Sequence, residues 1–303
     1  MFVRLLNSAG VLLFRFLLAF LRCLPEVLFF GLVRVVEALF FYIFSRRLVK
    51  ISAESLDIAY GAKLGQQEKL PLIRNSFRHL FVGLAGFLYD YGRPDRLQRR
   101  FSLEGREHLD AALQPGRGAV IAVAHFGPFV WMLLRLAACG YVLNTVARPP
   151  RSDIFRWFFD RAFSICGMNI ILSVPPRTCI TACLQALKNN ELVITPIDQN
   201  YGGPGRLFVD FFGRPAATAS GTGIFAQRGQ APVLFAYAVP DGRRRFRMIL
   251  MPCVAAGEDM TPAQIMERLT AVLETIVRRY PDQWSWMHRR WKAVPKQGER
   301  MHD

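Results

Sequence analysis

Acidic side chains are scarce in this sequence. Its 303 residues include 23 Asp and Glu against 39 Lys and Arg, so the formal net charge is +16. The six cysteines form no CxxC pair, and we expect them to be reduced core residues rather than disulfides or metal ligands. No small-residue cleavage site follows a short apolar run, so a removed signal peptide is not expected.

Apolar residues, in contrast, are abundant. They make up 52% of the sequence, which includes 25 phenylalanines. A basic and strongly apolar composition favours contact with an anionic membrane surface. We expect no nucleic-acid partner, because no recognised binding motif accompanies the charge. The length allows one or two domains.

Two apolar stretches near the N-terminus, residues 11–21 and 27–44, are interrupted by Arg15, Arg34 and Glu37. For the second stretch, the apolar residues contribute roughly −4 to −8 kcal/mol to membrane insertion, and two near-central charges cost about 5 to 7 kcal/mol. The sum is near zero, although Arg34 and Glu37 could pair at a spacing of three. A helix lying in the membrane interface is therefore at least as well supported as one that spans the bilayer.

Arg46, Arg47 and Lys50 follow the second stretch and would hold its end at the cytoplasmic leaflet. We therefore predict a membrane anchor over residues 1–50, with a buried core hairpin as the alternative. The remainder, residues 51–303, is predicted to be one α/β domain.

Apolar runs alternate with helical patterns through this predicted domain, which is typical of a parallel sheet. Residues 52–92 are expected to be helical. The predicted strands are 118–124, 141–147, 168–173, 191–196, 231–239 and 245–251. The predicted helices after residue 92 are 129–139, 152–166, 177–189, 216–228, 261–280 and 282–292.

His125 is the candidate catalytic residue. In "GAVIAVAHFGPFVWMLL", residues 118–134, it ends an apolar strand and precedes a turn and a helix. The carboxyl ends of strands are where open α/β sheets place their active sites. A catalytic histidine needs a partner that fixes its tautomer, and no carboxylate lies within ten residues of His125.

Two further strand ends carry charged residues. Arg148 follows one predicted strand, and its planar guanidinium suits a phosphate or a carboxylate. Asp198 follows another and opens a loop in which Gly202 and Gly203 allow close backbone approach to a ligand. Alternatively, Arg148 could be a solvated loop residue, and Asp198 could cap the backbone of its own loop.

Four blocks of sequence occur together: "GAVIAVAHFGPF", "NTVARPP", "ITPIDQNYGGPGRLFVDFFGRPAATASGTGIFA" and "YPDQWSWMHRRWK". In this order and spacing the sequence resembles the late acyltransferases of lipid A biosynthesis, the lauroyl and myristoyl transferases, within the lysophospholipid and glycerolipid acyltransferase superfamily. The resemblance covers nearly the whole sequence. It implies a mixed, largely parallel central sheet flanked by helices, with an N-terminal membrane-associated helical segment.

The resemblance also implies acyl transfer at the cytoplasmic face of the bacterial inner membrane. The donor would be an acyl carrier protein thioester, the acceptor a hydroxyl of a lipid A precursor or related glycolipid, and no cofactor or metal would be needed. In the family's motif, the histidine is the general base, and an Asp or Glu that follows it after four intervening residues orients it. His125 matches the histidine, but Val130 fills the position of the acid.

Because valine replaces the acid of the motif, we predict a slow enzyme in which the backbone, rather than a carboxylate, orients the His125 ring. Asp210 could instead supply the carboxylate from another strand, because it interrupts an aromatic run where the family more often has proline. The resemblance further implies that Arg148 faces the substrate.

Family acceptors are phosphorylated. We therefore expect the glycine-rich loop to bind substrate through the amides of Gly202 and Gly203. Arg206 and Asp198 are expected to bind substrate as well. In the last block, tryptophans between basic residues suit a headgroup interface or an acidic carrier protein, or equally core packing.

Two other functions remain open at this point. Because of Val130, the protein could be a weak or inactive relative that binds lipid or an acyl chain at the membrane. It could also be an acyltransferase of another polar-lipid or lipid-linked pigment pathway.

Overall fold

The structure, a computed structural model, describes residues 2–149, 156–157, 163, 168–255 and 260–295. The strands are β1 Phe101–Glu104, β2 Ala119–Val123, β3 Leu143–Ala147, β4 Met168–Leu172, β5 Leu192–Pro196, β6 Arg206–Phe211, β7 Arg214–Ala219, β8 Val233–Pro240 and β9 Phe246–Leu250. The helices are α1 Phe2–Cys23, α2 Glu26–Tyr60, α3 Gln66–Asp90, α4 Pro94–Arg100, α5 Arg106–Leu113, α6 Phe129–Ala137, α7 Pro176–Lys188, α8 Gly221–Gly229 and α9 Pro262–Arg279.

Seven strands form one sheet in the order β1-β9-β8-β2-β5-β3-β4. All neighbouring pairs are parallel except β8 and β9, which form an antiparallel hairpin. The predicted mixed, largely parallel α/β sheet is therefore confirmed. The remaining strands, β6 and β7, form a separate antiparallel hairpin.

The central strand β2 is buried on both faces because all five of its residues are small or apolar. Val120 and Ala122 point into one hydrophobic cluster, and Ala119, Ile121 and Val123 point into the other. This period of two is what a strand covered by helices on both faces requires. The alternation places the end of β2, and the residue after it, at an edge shared with its parallel neighbours.

One predicted helix is shorter than expected and another is wrong. Residues 216–219, the start of the predicted helix 216–228, belong to β7 and pair with β6. Their small residues Ala216 and Ala217 are fully buried there, and the helix begins only at Gly221. Residues 282–292 form turns rather than a helix, since their polar groups bind other parts of the protein. The predicted helix 152–166 lies outside the described residues apart from 156–157 and 163.

The helix α2 packs antiparallel along α3 over its whole length. Phe29, near its start, stacks on Tyr89 at 4.4 Å between ring centroids, whereas Asp57, near its end, binds Lys69 at 2.5 Å. The predicted boundary at residue 50 falls inside α2, which continues to Tyr60. By length and composition α2 is, among the described residues, the one helix able to cross a membrane.

Glu37, in the middle of α2, does not pair with Arg34 as expected. Arg34 is exposed, while the Glu37 carboxylate is buried and faces Arg74 and Arg78 of α3 at 3.9 and 3.7 Å. A buried carboxylate needs opposite charge close by, and α3 provides it. Glu37, which interrupts the apolar stretch, therefore serves in a contact between α2 and α3.

A buried ionic cluster ties the start of α2 to the domain. Arg100 donates from Nε to Asp90 Oδ2 at 2.7 Å and pairs with Glu26 at 3.2 Å. Trp131 of α6 donates to the same Asp90 oxygen at 3.1 Å. Arg244, in the β8–β9 turn, binds the other Glu26 oxygen at 3.2 Å. Five separated parts of the chain are thereby joined.

Candidate active site

His125 lies two residues beyond β2, at the carboxyl edge of the sheet. Its backbone carbonyl accepts a hydrogen bond from Ser285 N at 2.9 Å, and Gly127 N donates to Gln283 O at 2.7 Å. Gly127 has φ +52°, and a Cβ there would lie 2.9 Å from the carbonyl oxygen of Ala238. Only glycine fits this turn, which directs the imidazole toward solvent with 27% of its side chain exposed.

The partner of His125 is Asp198, which lies two residues beyond the neighbouring parallel strand β5. Because Val123 is in register with Pro196, equal steps along the two strands bring these side chains together. Asp198 Oδ1 is 2.8 Å from His125 Nδ1. Asp198 Oδ2 accepts hydrogen bonds from His125 N and Trp284 Nε1, both at 2.9 Å. The carboxylate thus holds both the ring and the backbone of the histidine.

The electrostatics of the pair follow from burial and proximity. Burial disfavours the imidazolium, but the charge and hydrogen bond of Asp198 outweigh it and raise the pKa of His125 above its usual value. Burial likewise disfavours the carboxylate of Asp198, but His125 and the N–H donors lower the pKa of Asp198 below its usual value. Asp198 therefore stays ionised while His125 titrates.

Two expectations about the histidine's partner are thereby corrected. The backbone does not hold the ring alone, because the Asp198 carboxylate occupies Nδ1. Asp210 is not the partner either: it lies at the β6–β7 turn, where its Oδ1 accepts from Gly213 N at 2.9 Å. Val130 is half-buried in the first turn of α6 and packs against the hydrophobic cluster.

The second ring nitrogen of His125 faces the next residue in the loop. Gln199 Nε2 lies 3.1 Å from His125 Nε2, and the Gln199 side chain is exposed. Since Nδ1 donates its hydrogen to Asp198, Nε2 carries a lone pair and accepts from the Gln199 amide. This nitrogen is the one available for proton transfer.

The closing segment, residues 283–293, lies on the buried side of the site and contacts it. Trp284 and Trp286 are fully buried, so they pack in the core rather than face a headgroup. Arg290, 1% exposed, donates to Ala217 O at 2.6 Å, to Thr218 Oγ1 and to Gln199 O at 3.3 Å. Burial lowers its pKa to about 10, so it remains protonated. Arg290 therefore links β7 to the connection between β5 and β6, residues 197–205, which we call the active-site loop.

His288 fixes the next residue of the same loop. Its Nε2 accepts a hydrogen bond from Asn200 N at 2.7 Å. Burial, together with the charges of Arg290 and Arg148, lowers the pKa of His288 despite the attraction of Asp198. The neutral ring can thus keep accepting from Asn200 while His125 changes its charge.

Arg148 follows β3, the other parallel neighbour of β5, and is exposed at the same edge of the sheet as His125. Arg206 begins β6 with its guanidinium over the Phe208 ring at 5.5 Å. Gly202 and Gly203 lie in the connection between β5 and β6, and Gly202 is exposed, with no atom within 4 Å of where a Cβ would be. Their binding of substrate stays a prediction, while the carboxylate of Asp198, expected there too, holds His125 instead.

Within the described residues, His, Cys, Asp and Glu form no group of three or more that could hold a metal ion. A cavity of about 330 Å³ lies between α2 and the closing segment, lined by Ser55, Ile58 and the basic residues Arg289, Arg290 and Lys292. It adjoins the segment that supports the site.

The sequence analysis missed the roles of Gln199, Trp284 and His288. One signal was available: Asp198 follows its strand as closely as His125 follows β2. The pairing depends, however, on β2 and β5 being neighbours, and two other strands of the sheet separate them in sequence.

Comparison with known proteins shows the family to which the chain is similar. Residues 2–293 match the family described as bacterial lipid A biosynthesis acyltransferase. The lipid A biosynthesis palmitoleoyltransferase of Escherichia coli (strain K12) is 25% identical over 255 residues, which cover 83% of this chain and 81% of the relative. The lipid A biosynthesis lauroyltransferase of the same organism is 26% identical over 264 residues, covering 84% and 82%.

A phosphatidylinositol mannoside acyltransferase of Mycobacterium tuberculosis (strain CDC 1551 / Oshkosh) is 25% identical over 193 residues, which cover 62% of this chain and 59% of the relative. The family match extends over almost the entire sequence and includes both strand ends that form the site. The chain belongs to the bacterial lipid A biosynthesis acyltransferase family.

Proposed function

We propose that this protein transfers a fatty acyl chain from an acyl carrier protein thioester to a hydroxyl of a lipid A precursor or related glycolipid. The observation that carries the proposal is the His125–Asp198 pair: a solvent-facing imidazole whose Nδ1 is bound by a buried carboxylate at 2.8 Å. This arrangement orients a general base and stabilises its protonated form.

His125 Nε2 takes the proton of the acceptor hydroxyl while the hydroxyl oxygen attacks the carbonyl carbon of the thioester. The new C–O ester bond forms, the C–S bond breaks, and the proton passes from Nε2 to the leaving thiolate sulfur. Asp198 stays ionised and stabilises the imidazolium between these steps, since its pKa lies below the usual value. Every proton and electron pair is accounted for without a cofactor.

The acceptor is proposed as a phosphorylated or otherwise anionic glycolipid. Relatives include lipid A and phosphatidylinositol mannoside acyltransferases. Arg148 supports this choice, because it is an exposed guanidinium at the end of the strand beside Asp198. Arg206 is a second candidate for the anion. An inactive lipid-binding relative is no longer favoured, because that alternative rested on the lack of a carboxylate for His125.

We further propose that the protein lies on the membrane with α2 in the interface rather than across the bilayer. With 35 residues, α2 is about 52 Å long at 1.5 Å per residue. Phe29 packs near its start and Leu56 is fully buried near its end, so both ends adhere to the same domain. Spanning would draw α3 and its charged residues into the hydrocarbon, at high cost.

The outer faces of α1 and α2 supply the membrane contact. They expose large apolar side chains at Leu12, Leu13, Phe16, Leu17, Phe20, Val27, Leu28, Leu32, Val35, Leu39, Phe40, Tyr42, Ile43 and Phe44. Exposed Arg46, Arg47 and Lys50 border this surface and suit anionic headgroups. The cytoplasmic leaflet of the inner membrane fits, since the acyl carrier protein donor is on that side.

Mass spectrometry of the host's lipids with and without the gene tests the function. We expect one acyl chain to be missing from a glycolipid in the deletion strain, restored by the wild-type gene and not by His125→Ala. An unchanged lipid profile, or restoration by His125→Ala made at wild-type levels, would contradict the proposal.

A further inference from the structure

Gln199 lies on the nitrogen of His125 that the proposed reaction needs free. Asp198 accepts the hydrogen of Nδ1, so the ring's lone pair is on Nε2. The amide nitrogen of Gln199 lies 3.1 Å from Nε2 and donates to it. When no acceptor substrate is bound, His125 Nε2 is therefore already occupied by the hydrogen bond from Gln199.

The backbone around Gln199 is held firmly, while its side chain is exposed. Its carbonyl accepts from Arg290 Nη1 at 3.3 Å, and the next residue, Asn200, donates its N–H to His288 at 2.7 Å. The preceding residue, Asp198, is fixed by its own three hydrogen bonds. The amide can rotate away from His125 about its side-chain torsions without any movement of the loop.

We propose that Gln199 is a positioning residue that caps the catalytic base, keeps water from Nε2 until the acceptor binds, and is displaced by the acceptor hydroxyl. The inference rests on the proposed role of His125 as the base. A hydrogen bond to the neutral ring also favours the deprotonated form, so the cap keeps the base ready.

The side reaction that the cap suppresses is hydrolysis of the donor. Water oxygen would bond to the acyl carbon, its proton would go to Nε2, and the C–S bond would break. The thiolate would then take that proton, which releases a fatty acid and the carrier thiol. Transfer follows the same path with the acceptor hydroxyl, so access to Nε2 decides between them.

Chemical modification tests the cap without any substrate. Gln199→Met nearly preserves the side-chain volume but removes the donor, and Gln199→Ala removes both. We expect diethyl pyrocarbonate to modify His125 several-fold faster in both variants, as measured by mass spectrometry of its peptide at a pH above the pKa of His125. Gln185→Met, on the exposed face of α7, is the matched control and should leave the rate unchanged.

A second assay measures thiol release from dodecanoyl-acyl carrier protein without acceptor. Both Gln199 variants should hydrolyse this donor several-fold faster than the wild type, and adding His125→Ala should abolish the gain, since a positioned base contributes about 10²- to 10⁴-fold. Unchanged modification of His125, or faster modification without faster hydrolysis, overturns the cap. Faster modification with hydrolysis that survives His125→Ala instead refutes the role of His125 as the base.

Discussion

A single carboxylate, that of Asp198, binds both the ring and the backbone of His125. Its Oδ1 is 2.8 Å from Nδ1, and its Oδ2 accepts the His125 N–H at 2.9 Å. The two residues are 73 positions apart in sequence but occupy equivalent positions after adjacent parallel strands. A histidine that is bound at both its ring and its backbone has little freedom to adopt another tautomer or rotamer.

Asp198→Asn should lower turnover by about 10⁴-fold, as expected when a catalytic histidine loses its orienting carboxylate. The amide can still donate to or accept from Nδ1, but it cannot stabilise the imidazolium. Steady-state acyl transfer measures the effect, with circular dichroism to verify folding. A folded variant with turnover within tenfold of the wild type would show that another group orients His125.

Val130→Glu should not increase activity, even though it restores the carboxylate of the family's motif. Nδ1 of His125 is already bound to Asp198, and Val130 packs against the hydrophobic cluster. A carboxylate at this half-buried position costs stability. Thermal unfolding and transfer rates measured together test this, with Val130→Leu as the apolar control. A several-fold gain in transfer by the glutamate variant would mean that the native pair is inadequate.

The pH dependence of kcat/KM should report the charge of His125. The base must be neutral, so activity falls as the pH falls through the pKa of His125. Because Asp198 holds this pKa above the usual 6.5, the inflection of the wild type should lie above that value. In Asp198→Asn the inflection should move to lower pH, since the charge that raises the pKa is gone. An inflection that stays in place in the variant would assign it to another group.

Cys23 and Cys253 should be accessible from the same side of the membrane. Both are exposed, one at the end of α1 and the other beyond β9 in the α/β domain. If α2 lies in the interface, a membrane-impermeant maleimide labels both in inverted vesicles and neither in intact spheroplasts. Each cysteine can be replaced by serine as the control for the other. Labelling of Cys23 in intact spheroplasts alone would indicate a spanning helix.

Arg100→Ala should destabilise the protein by about 3–5 kcal/mol, because it removes the 2.7 Å ion pair of the buried Asp90 and leaves only the 4.0 Å ion pair with Arg96. The double variant Asp90→Asn, Arg100→Met should lose less, since no uncompensated charge remains. The exposed neighbour Arg99 offers the control Arg99→Met, with an expected change below about 0.5 kcal/mol. Denaturant unfolding decides among them, and an Arg100→Ala variant as stable as this control would refute the role of the cluster.

The sequence predicted most of the sheet because local patterns determine it. The run before His125 is apolar over a strand's length, and β2 lies within one residue of its predicted end. The predicted helix 216–228 begins inside β7 because the small residues in "RPAATA" fit a buried strand as well as a helix. Only pairing with β6, a contact across the chain, distinguishes the two.

The sequence singled out His125 but not Asp198, for a similar reason. The motif from His125 to Val130 is six residues long and directs attention to Val130, whereas the neighbour of His125 depends on strand order. That order places β5 beside β2 although β3 and β4 come between them in sequence. The closing segment posed the same difficulty, since Trp284 binds Asp198 and Arg290 binds Ala217 of β7, both distant in sequence.

The closing segment, finally, has a bearing on biosynthesis. Ser285, Trp284, His288 and Arg290 bind His125, Asp198, Asn200 and Gln199 in turn. The ribosome makes these four supports after every strand of the sheet. His125 and residues 198–200 can therefore gain these four hydrogen bonds only after translation has passed Arg290. The conformation of the site thus depends on a segment made after the sheet that carries it.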